Sequence, residues 1–102
     1  MRPLIDEARH REIIELVGAD AWRELLDQFC LDAAWIVEGF AADGGQESLE
    51  RNRHALTGLA DNFGFPRLAD LSRRAAPAES GVLDSELALI RAQIAFSTGS
   101  FE

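Results

Sequence analysis

The 102-residue sequence has one cysteine, three prolines and no lysine, so that all ten of its basic residues are arginine. A single cysteine, Cys30, excludes an internal disulfide, and no apolar stretch approaches the roughly 20 residues that span a membrane. The polar N-terminus lacks the apolar core of a signal peptide. We therefore expect a cytoplasmic protein that does not associate with a membrane.

The charge balance is strongly acidic, with 18 acidic residues against ten basic ones and a net charge of −8. A general nucleic-acid binder needs a cationic face for the phosphate backbone, so nucleic acid is not an expected partner. An acidic surface keeps a small protein soluble and favours a monomer. A length of 102 residues, 47% of them apolar, suits one hydrophobic core, and we expect a single domain over 1–102.

Apolar residues recur at steps of three and four along most of the chain, which predicts helices rather than strands. Five helices are expected: the first three over residues 4–17, 21–42 and 46–63, a short fourth that begins at Pro66 and is broken by Pro77, and a fifth that is capped within 80–84 and carries apolar residues to about 96. Asp20 is expected as an N-cap and Asp43-Gly44-Gly45 as a turn. Short loops between amphipathic helices make sequential helices antiparallel. The expected fold is all-α, an up-down-up-down four-helix bundle with an additional short N-terminal helix.

The third of these helices carries a histidine on its outer side. On a helical wheel His54 lies about 160° from Leu56, which belongs to the buried stripe. Gly58 follows one turn later on the same side, where a helical glycine costs about 1 kcal/mol relative to alanine. The missing side chain leaves room for a tetrahedral phosphoryl group, and a neutral imidazole nitrogen is a competent nucleophile near pH 7. His54 is thus a candidate catalytic residue, against the plainer interpretation of an inert surface histidine.

The stretch from Arg53 to Leu71 resembles the signature of histidine-containing phosphotransfer (HPt) domains. Six positions match the pattern of that family: His54, Leu56, Gly58, Gly64, Leu68 and Leu71. The resemblance continues upstream through residues 25–29 and 47–49, and so covers most of the chain.

The resemblance implies a phosphorelay intermediate of two-component signalling, in which His54 accepts a phosphoryl group from a receiver-domain aspartate and passes it to another receiver. The expected partners are response-regulator receiver domains or a hybrid histidine kinase. The receiver supplies Mg²⁺ and a lysine, so no cofactor or metal is expected on this phosphoprotein itself. The chain also lacks a glycine-rich phosphate loop, and we expect a phosphocarrier without autokinase activity.

One residue departs from the family pattern. HPt domains usually have a lysine three residues after the histidine, where this chain has Thr57. A hydroxyl donates one hydrogen bond but supplies no charge. Arg51 and Arg53 are expected to replace part of that charge, with Arg67 as a more distant candidate. Otherwise the partner supplies the charge, or the domain has drifted toward binding alone.

A docking surface is expected beside the histidine. If the turn near Gly44 makes the helices antiparallel, His54 lies level with positions 34 and 35. Leu31 and Trp35 point away from the core stripe of the second helix, and Asp61 shares the outer face of His54. These three are the expected partner-docking residues. The alternative is that the first helix covers Leu31 and Trp35.

Two other functions compete with phosphotransfer. One is a non-catalytic HPt-like bundle that binds and inhibits a receiver or histidine kinase through Leu31, Trp35 and His54. The other is a histidine-kinase-like dimerising bundle, which is less favoured because four core helices in one chain need no dimer. We expect His10 to be a surface residue, since Ile14 stands where a second metal ligand would be, and Cys30 to be a packing residue.

Overall fold

The computed structural model describes residues 2–42 and 44–99, with side chains through residue 96. Asp43, expected in a turn, lies outside the described residues. The described part of the chain forms five α-helices and contains no strand, so the all-α prediction is confirmed. The helices are α1 (Glu7–Val17), α2 (Ala19–Ala41), α3 (Gly45–Phe63), α4 (Pro66–Arg74) and α5 (Ser80–Gly99), with a 3-10 turn over Pro77–Glu79 before α5.

The first two helices begin at different residues from those expected. The side chain of Asp6 accepts a hydrogen bond from the Arg9 amide at 3.1 Å, and α1 therefore begins only after this N-cap. Gly18, with φ of 90°, separates α1 from α2. The prediction of Asp20 as an N-cap is therefore wrong. It lies in the first turn of α2, where a carboxylate favours the positive end of the helix dipole.

The turn between α3 and α4 depends on Gly64. This residue adopts a left-handed conformation with φ of 75°, and the amide of Phe65 donates to the carbonyl of Ala60 at 2.9 Å. Pro66 then occupies the first turn of α4, where its missing amide hydrogen costs nothing. α4 ends at Arg74, before Pro77, the residue that was expected to break this helix.

The core lies between α2, α3, α4 and α5. α3 contacts α2 and α4, and α5 contacts the same two helices, while α1 contacts α2. Leu25 of α2 is exposed, whereas its neighbour Leu26 is buried. The largest fully buried apolar side chains come from all four of these helices and the turn before α4: Phe29, Val37, Phe40, Leu56, Phe65, Leu68, Leu83, Leu87 and Ile90.

An ion pair joins α4 to α5 at the edge of this core. Arg67 Nε donates to Glu86 at 2.8 Å, and the Glu86 side chain is buried. In the described part of the chain, no helix combines the length and the apolar character needed to cross a membrane.

His10 joins α1 to the turn between α3 and α4. The expectation that His10 is a surface residue is therefore wrong. His10 is half-buried, its Nε2 lies 2.8 Å from the Phe63 carbonyl, and its ring packs edge-on against Trp22 and Phe65. Burial lowers the pKa of His10 below the ordinary imidazole value, although the Phe63 carbonyl partly opposes the shift. The neutral His10 ring therefore donates a hydrogen bond from Nε2 to the Phe63 carbonyl. The contact with Trp22 places α1 beside the N-terminal part of α2.

Candidate functional site

His54 is exposed on α3 and borders a shallow hollow between α3 and α4. The hollow has a volume of about 240 Å³ and is lined by Glu50, Arg53, His54, Thr57 and Arg73. We call it the His54 hollow. The solvent-facing histidine expected from the helical wheel is therefore found, together with Arg53 and Thr57 of the expected neighbours.

Arg53 connects α3 to the C-terminal end of α4 beside His54. Its Nε donates to the Ala75 carbonyl at 2.8 Å, and its Nη1 donates to Glu50 at 2.7 Å. The first contact places a positive charge at the C-terminal end of α4, where a helix dipole favours it. Arg53 thus holds α3 and α4 together at the hollow. Its Nε and Nη1 already donate hydrogen bonds within the protein.

Arg73 is the cation that the sequence reasoning missed. It reaches the hollow from α4, where its Nη1 lies 2.9 Å from Asp70 and its Nη2 lies 3.0 Å from Asp61. A signal for it existed, because Arg73 and Thr57 are equally distant along the chain from Phe65. Residues equally distant from the turn between two antiparallel helices lie level with each other, so Arg73 of α4 lies level with Thr57 of α3.

Thr57 presents an unusual hydroxyl. Among the residues that the structure describes, its Oγ1 is the buried side-chain polar atom without a hydrogen-bond partner. Leaving such a group unpaired costs about 1–3 kcal/mol. Helical threonine populates two χ1 rotamers, and rotation from one to the other re-aims the hydroxyl. Thr57 therefore has an unused donor within one turn of His54.

The surface around Gly58 is open. A Cβ built on Gly58 would meet no atom of the described residues within 4 Å, so their packing does not require glycine here. Gly64 differs, because a Cβ there would lie 2.8 Å from Cδ2 of His10. The two glycines of the pattern are therefore explained differently. Gly64 is required by its conformation and by its close contact with His10, whereas Gly58 leaves free space on the His54 side of α3.

Three other predicted residues lie outside the His54 hollow. Arg51 is exposed on α3, with its guanidinium 3.9 Å from Glu47. Arg67 pairs with Glu86 at the α4–α5 contact. Asp61 is held by Arg73 on the outer face of α3. Of the three arginines expected near the phosphoryl site, only Arg53 lines the hollow.

The two apolar docking residues are exposed, with Leu31 at 66% and Trp35 at 77% of full exposure. The alternative that the first helix covers them is therefore wrong. Leu31 lines a separate groove between α2 and α5, whereas His54 leans toward α4. A Cβ on Gly39 would lie 2.9 Å from Nδ2 of Asn52, which places His54 level with about residue 37. Trp35 is thus about half a turn from the level of His54.

Other reactive side chains are sparse. The described residues contain no group of three or more His, Cys, Asp or Glu that could hold a metal ion. Cys30 is half-buried between α2 and α5, and burial raises the pKa of its thiol although Arg91 opposes the shift. The thiol stays protonated at neutral pH, which makes it a poor nucleophile.

Comparison of the chain with protein-family models, with curated proteins and with solved structures finds no match.

Proposed function

We propose that this chain is a phosphorelay intermediate of the HPt type, with His54 as the residue that carries the phosphoryl group. The observation that carries the proposal is the His54 hollow, in which an exposed imidazole stands beside two arginines and an unpaired hydroxyl. The ring of contacts through α2, α3, α4 and α5 supports an up-down-up-down four-helix bundle, with α1 as the additional helix. The working location that suits such a carrier is the cytoplasm.

The transfer needs little from this chain beyond position and charge. A neutral nitrogen of His54 attacks the phosphorus of a receiver aspartyl phosphate in line, forming an N–P bond as the P–O bond breaks. The electron pair leaves with the aspartate, and the proton on the other ring nitrogen passes to solvent. The reverse steps deliver the group to a second receiver. The receiver contributes Mg²⁺, which screens the phosphoryl charge in the complex.

Arg73 takes the part that lysine plays in the family pattern. In the unphosphorylated protein its charge is balanced by Asp61 and Asp70. A phosphoryl group on His54 adds a stronger acceptor at the same hollow, and an exposed arginine can exchange partners at small cost because surface ion pairs contribute about 0–1 kcal/mol. Thr57 supplies a further donor.

The test is transfer of label from a phosphorylated receiver. We expect acid-labile, base-stable label on the wild-type chain and on His10→Gln, and none on His54→Gln. The His10 variant is the matched control, because the chain has two histidines and only one of them is proposed to react. Absence of label with every receiver of the source organism would refute phosphotransfer.

A second function is favoured by one specific observation. Both arginines of the His54 hollow already contact carboxylates, while Leu31 and Trp35 present exposed apolar surface. These features suit a non-catalytic module that binds and inhibits a receiver or a histidine kinase. Such a module loses its function in Trp35→Ala and keeps it in His54→Ala, whereas a phosphocarrier loses it in His54→Ala.

A further inference from the structure

Two carboxylates outside the His54 hollow hold Arg73. Its Nη2 lies 3.0 Å from Oδ2 of Asp61 on α3, and its Nη1 lies 2.9 Å from Oδ1 of Asp70 on α4. Arg73 lines the hollow together with His54, whereas neither Asp61 nor Asp70 does. One guanidinium group therefore stands between the proposed phosphoryl site and two acidic side chains.

Of the two arginines that line the hollow, Arg73 is the one that can change partners. Its side chain is 49% exposed, against 23% for Arg53. Arg53 is fixed by the hydrogen bond from its Nε to the backbone carbonyl of Ala75, whereas both ion pairs of Arg73 are with side chains. Ion pairs at an exposed surface are weak, so a stronger acceptor in the hollow can attract Arg73 away from its carboxylates.

A third arginine shares one of these carboxylates. Nη1 of Arg2, in the segment before α1, lies 2.9 Å from the same Oδ1 of Asp70 that Arg73 contacts. If Arg73 leaves Asp70, Arg2 remains as its partner, and the carboxylate keeps a counter-charge. Arg2 and Arg73 therefore compete for Asp70, and the presence of Arg2 weakens the hold of Asp70 on Arg73.

We propose that Asp61 and Asp70 are positioning residues that set the phosphoryl-transfer equilibrium of this chain through Arg73. The proposal rests on the proposed phosphotransfer function and adds no bond-making step to it. A phosphoryl group on His54 gains the charge of Arg73 only when the guanidinium gives up its carboxylates, and this exchange offsets part of the stabilisation. The phosphohistidine is therefore less stable than it would be beside an unpaired arginine, and its phosphoryl group passes more readily to a receiver aspartate.

Three substitutions that remove a charge have predicted directions. Asp61→Asn and Asp70→Asn each weaken the hold on Arg73. We expect each to shift the equilibrium between receiver aspartyl phosphate and phosphohistidine about two- to fivefold toward phosphohistidine, the size that an exposed ion pair implies. Arg2→Gln leaves Asp70 to Arg73 alone and should shift the same equilibrium toward the receiver.

Glu47→Gln is the matched control for Asp61→Asn. Both carboxylates lie on α3 seven residues from His54, in opposite directions, and both contact an arginine. Arg51, the partner of Glu47, does not line the hollow. The two variants change the net charge equally, and we expect the smaller shift in Glu47→Gln. Asp70→Glu keeps the charge and should stay near the wild-type equilibrium.

A double-mutant cycle shows whether the carboxylates act through Arg73. Direct repulsion between a carboxylate and the phosphoryl group is present with or without Arg73, whereas an exchange of partners requires it. We therefore expect Asp61→Asn and Asp70→Asn to shift the equilibrium less in an Arg73→Gln background than in the wild type. An effect of either carboxylate on the fold alone would have the same size in both backgrounds.

The partition of label between the chain and a phosphorylated receiver at equilibrium gives each constant, and circular dichroism checks that each variant is folded. Equal shifts in the two backgrounds, or a shift in Glu47→Gln as large as those in both asparagine variants, would overturn the positioning role and leave phosphotransfer intact. Label on none of the proteins would instead refute phosphotransfer, and the positioning role with it.

Discussion

At the scale of single residues, Gly58 lowers the stability of α3 but leaves space beside His54 for the proposed phosphoryl transfer. A glycine inside a helix is destabilising by roughly 0.5–1 kcal/mol relative to alanine. Among the described residues, no atom lies close enough to Gly58 for its packing to require a glycine. The added methyl group of an alanine would stand in open space one turn from His54. Its effects on the fold and on a docked receiver therefore have opposite signs.

We predict that Gly58→Ala raises the free energy of unfolding by about 0.5–1 kcal/mol. We also predict that it slows transfer from a phosphorylated receiver about tenfold, a barrier increase of about 1.4 kcal/mol, because the methyl group occupies space that the receiver needs. Chemical denaturation and rapid-quench transfer kinetics measure the two effects. An unchanged transfer rate in a stabilised variant would show that Gly58 has no part in transfer.

Arg73 is the second residue with a measurable role. We predict that Arg73→Gln shortens the lifetime of the phosphorylated protein or lowers its yield about tenfold, because the charge beside the phosphoryl oxygens is removed. Arg51→Gln is the control, because Arg51 is an exposed arginine of α3 that does not line the hollow. It should change the lifetime and yield of the phosphorylated protein less than Arg73→Gln does. Both variants should unfold within about 1 kcal/mol of wild type, since exposed ion pairs contribute little. An equal or larger loss in Arg51→Gln would contradict the assignment.

At the scale of helices, His10 is one of the residues that join α1 to the bundle, together with the partly buried Ile13. His10 joins the helix to the Phe63 carbonyl and to two core aromatic rings, while no residue of α1 is fully buried. Desolvation lowers the pKa of His10 in the folded protein. As pH falls below the ordinary imidazole value, the unfolded chain takes up this proton first. The contribution of neutral His10 to stability is therefore complete above that value and is lost as pH falls toward the folded pKa.

We predict that the wild-type free energy of unfolding falls more steeply than that of His10→Gln between about pH 7 and pH 5. The glutamine amide can still donate to the Phe63 carbonyl but does not titrate in this range. Urea denaturation at several pH values gives both curves, and their difference isolates His10 because His54 and the carboxylates are common to both proteins. Parallel curves would show that His10 titrates alike in the folded and unfolded states.

The elements also show where sequence reasoning succeeds and where it stops. Helical periodicity predicted α2 and α3 to within a few residues, and it placed His54 outward because a wheel needs only the phase of one helix. It failed for His10, since the phase of α1 does not reveal which neighbour the helix packs against. Arg73 was missed for a related reason, because the side chains that approach His54 from α4 depend on how α3 and α4 pack. Contacts between elements depend on register, which local patterns do not contain.

At the scale of the whole molecule, the proposed phosphoryl site is far smaller than a protein interface. A receiver on His54 must cover about 800 Å² of this chain, which extends beyond the His54 hollow onto the neighbouring helices. Trp35 is the exposed aromatic residue nearest in level to His54 along α2. Exposed tryptophan is the residue type most enriched among those that dominate binding energy.

We predict that Trp35→Ala weakens transfer from a receiver at least tenfold through a higher KM, since loss of an interface tryptophan costs about 2 kcal/mol or more. Phosphorylation of His54 by a small phosphoramidate donor should not change, because that reaction requires no docking surface. Phe96→Ala is the matched control, an equally exposed aromatic residue on α5, and should leave both reactions unchanged. If Trp35→Ala impairs the small donor as much as the receiver, the tryptophan supports the fold of the site rather than docking. If it impairs neither, the receiver approaches His54 from the α4 side, where Asp61 and Arg73 lie.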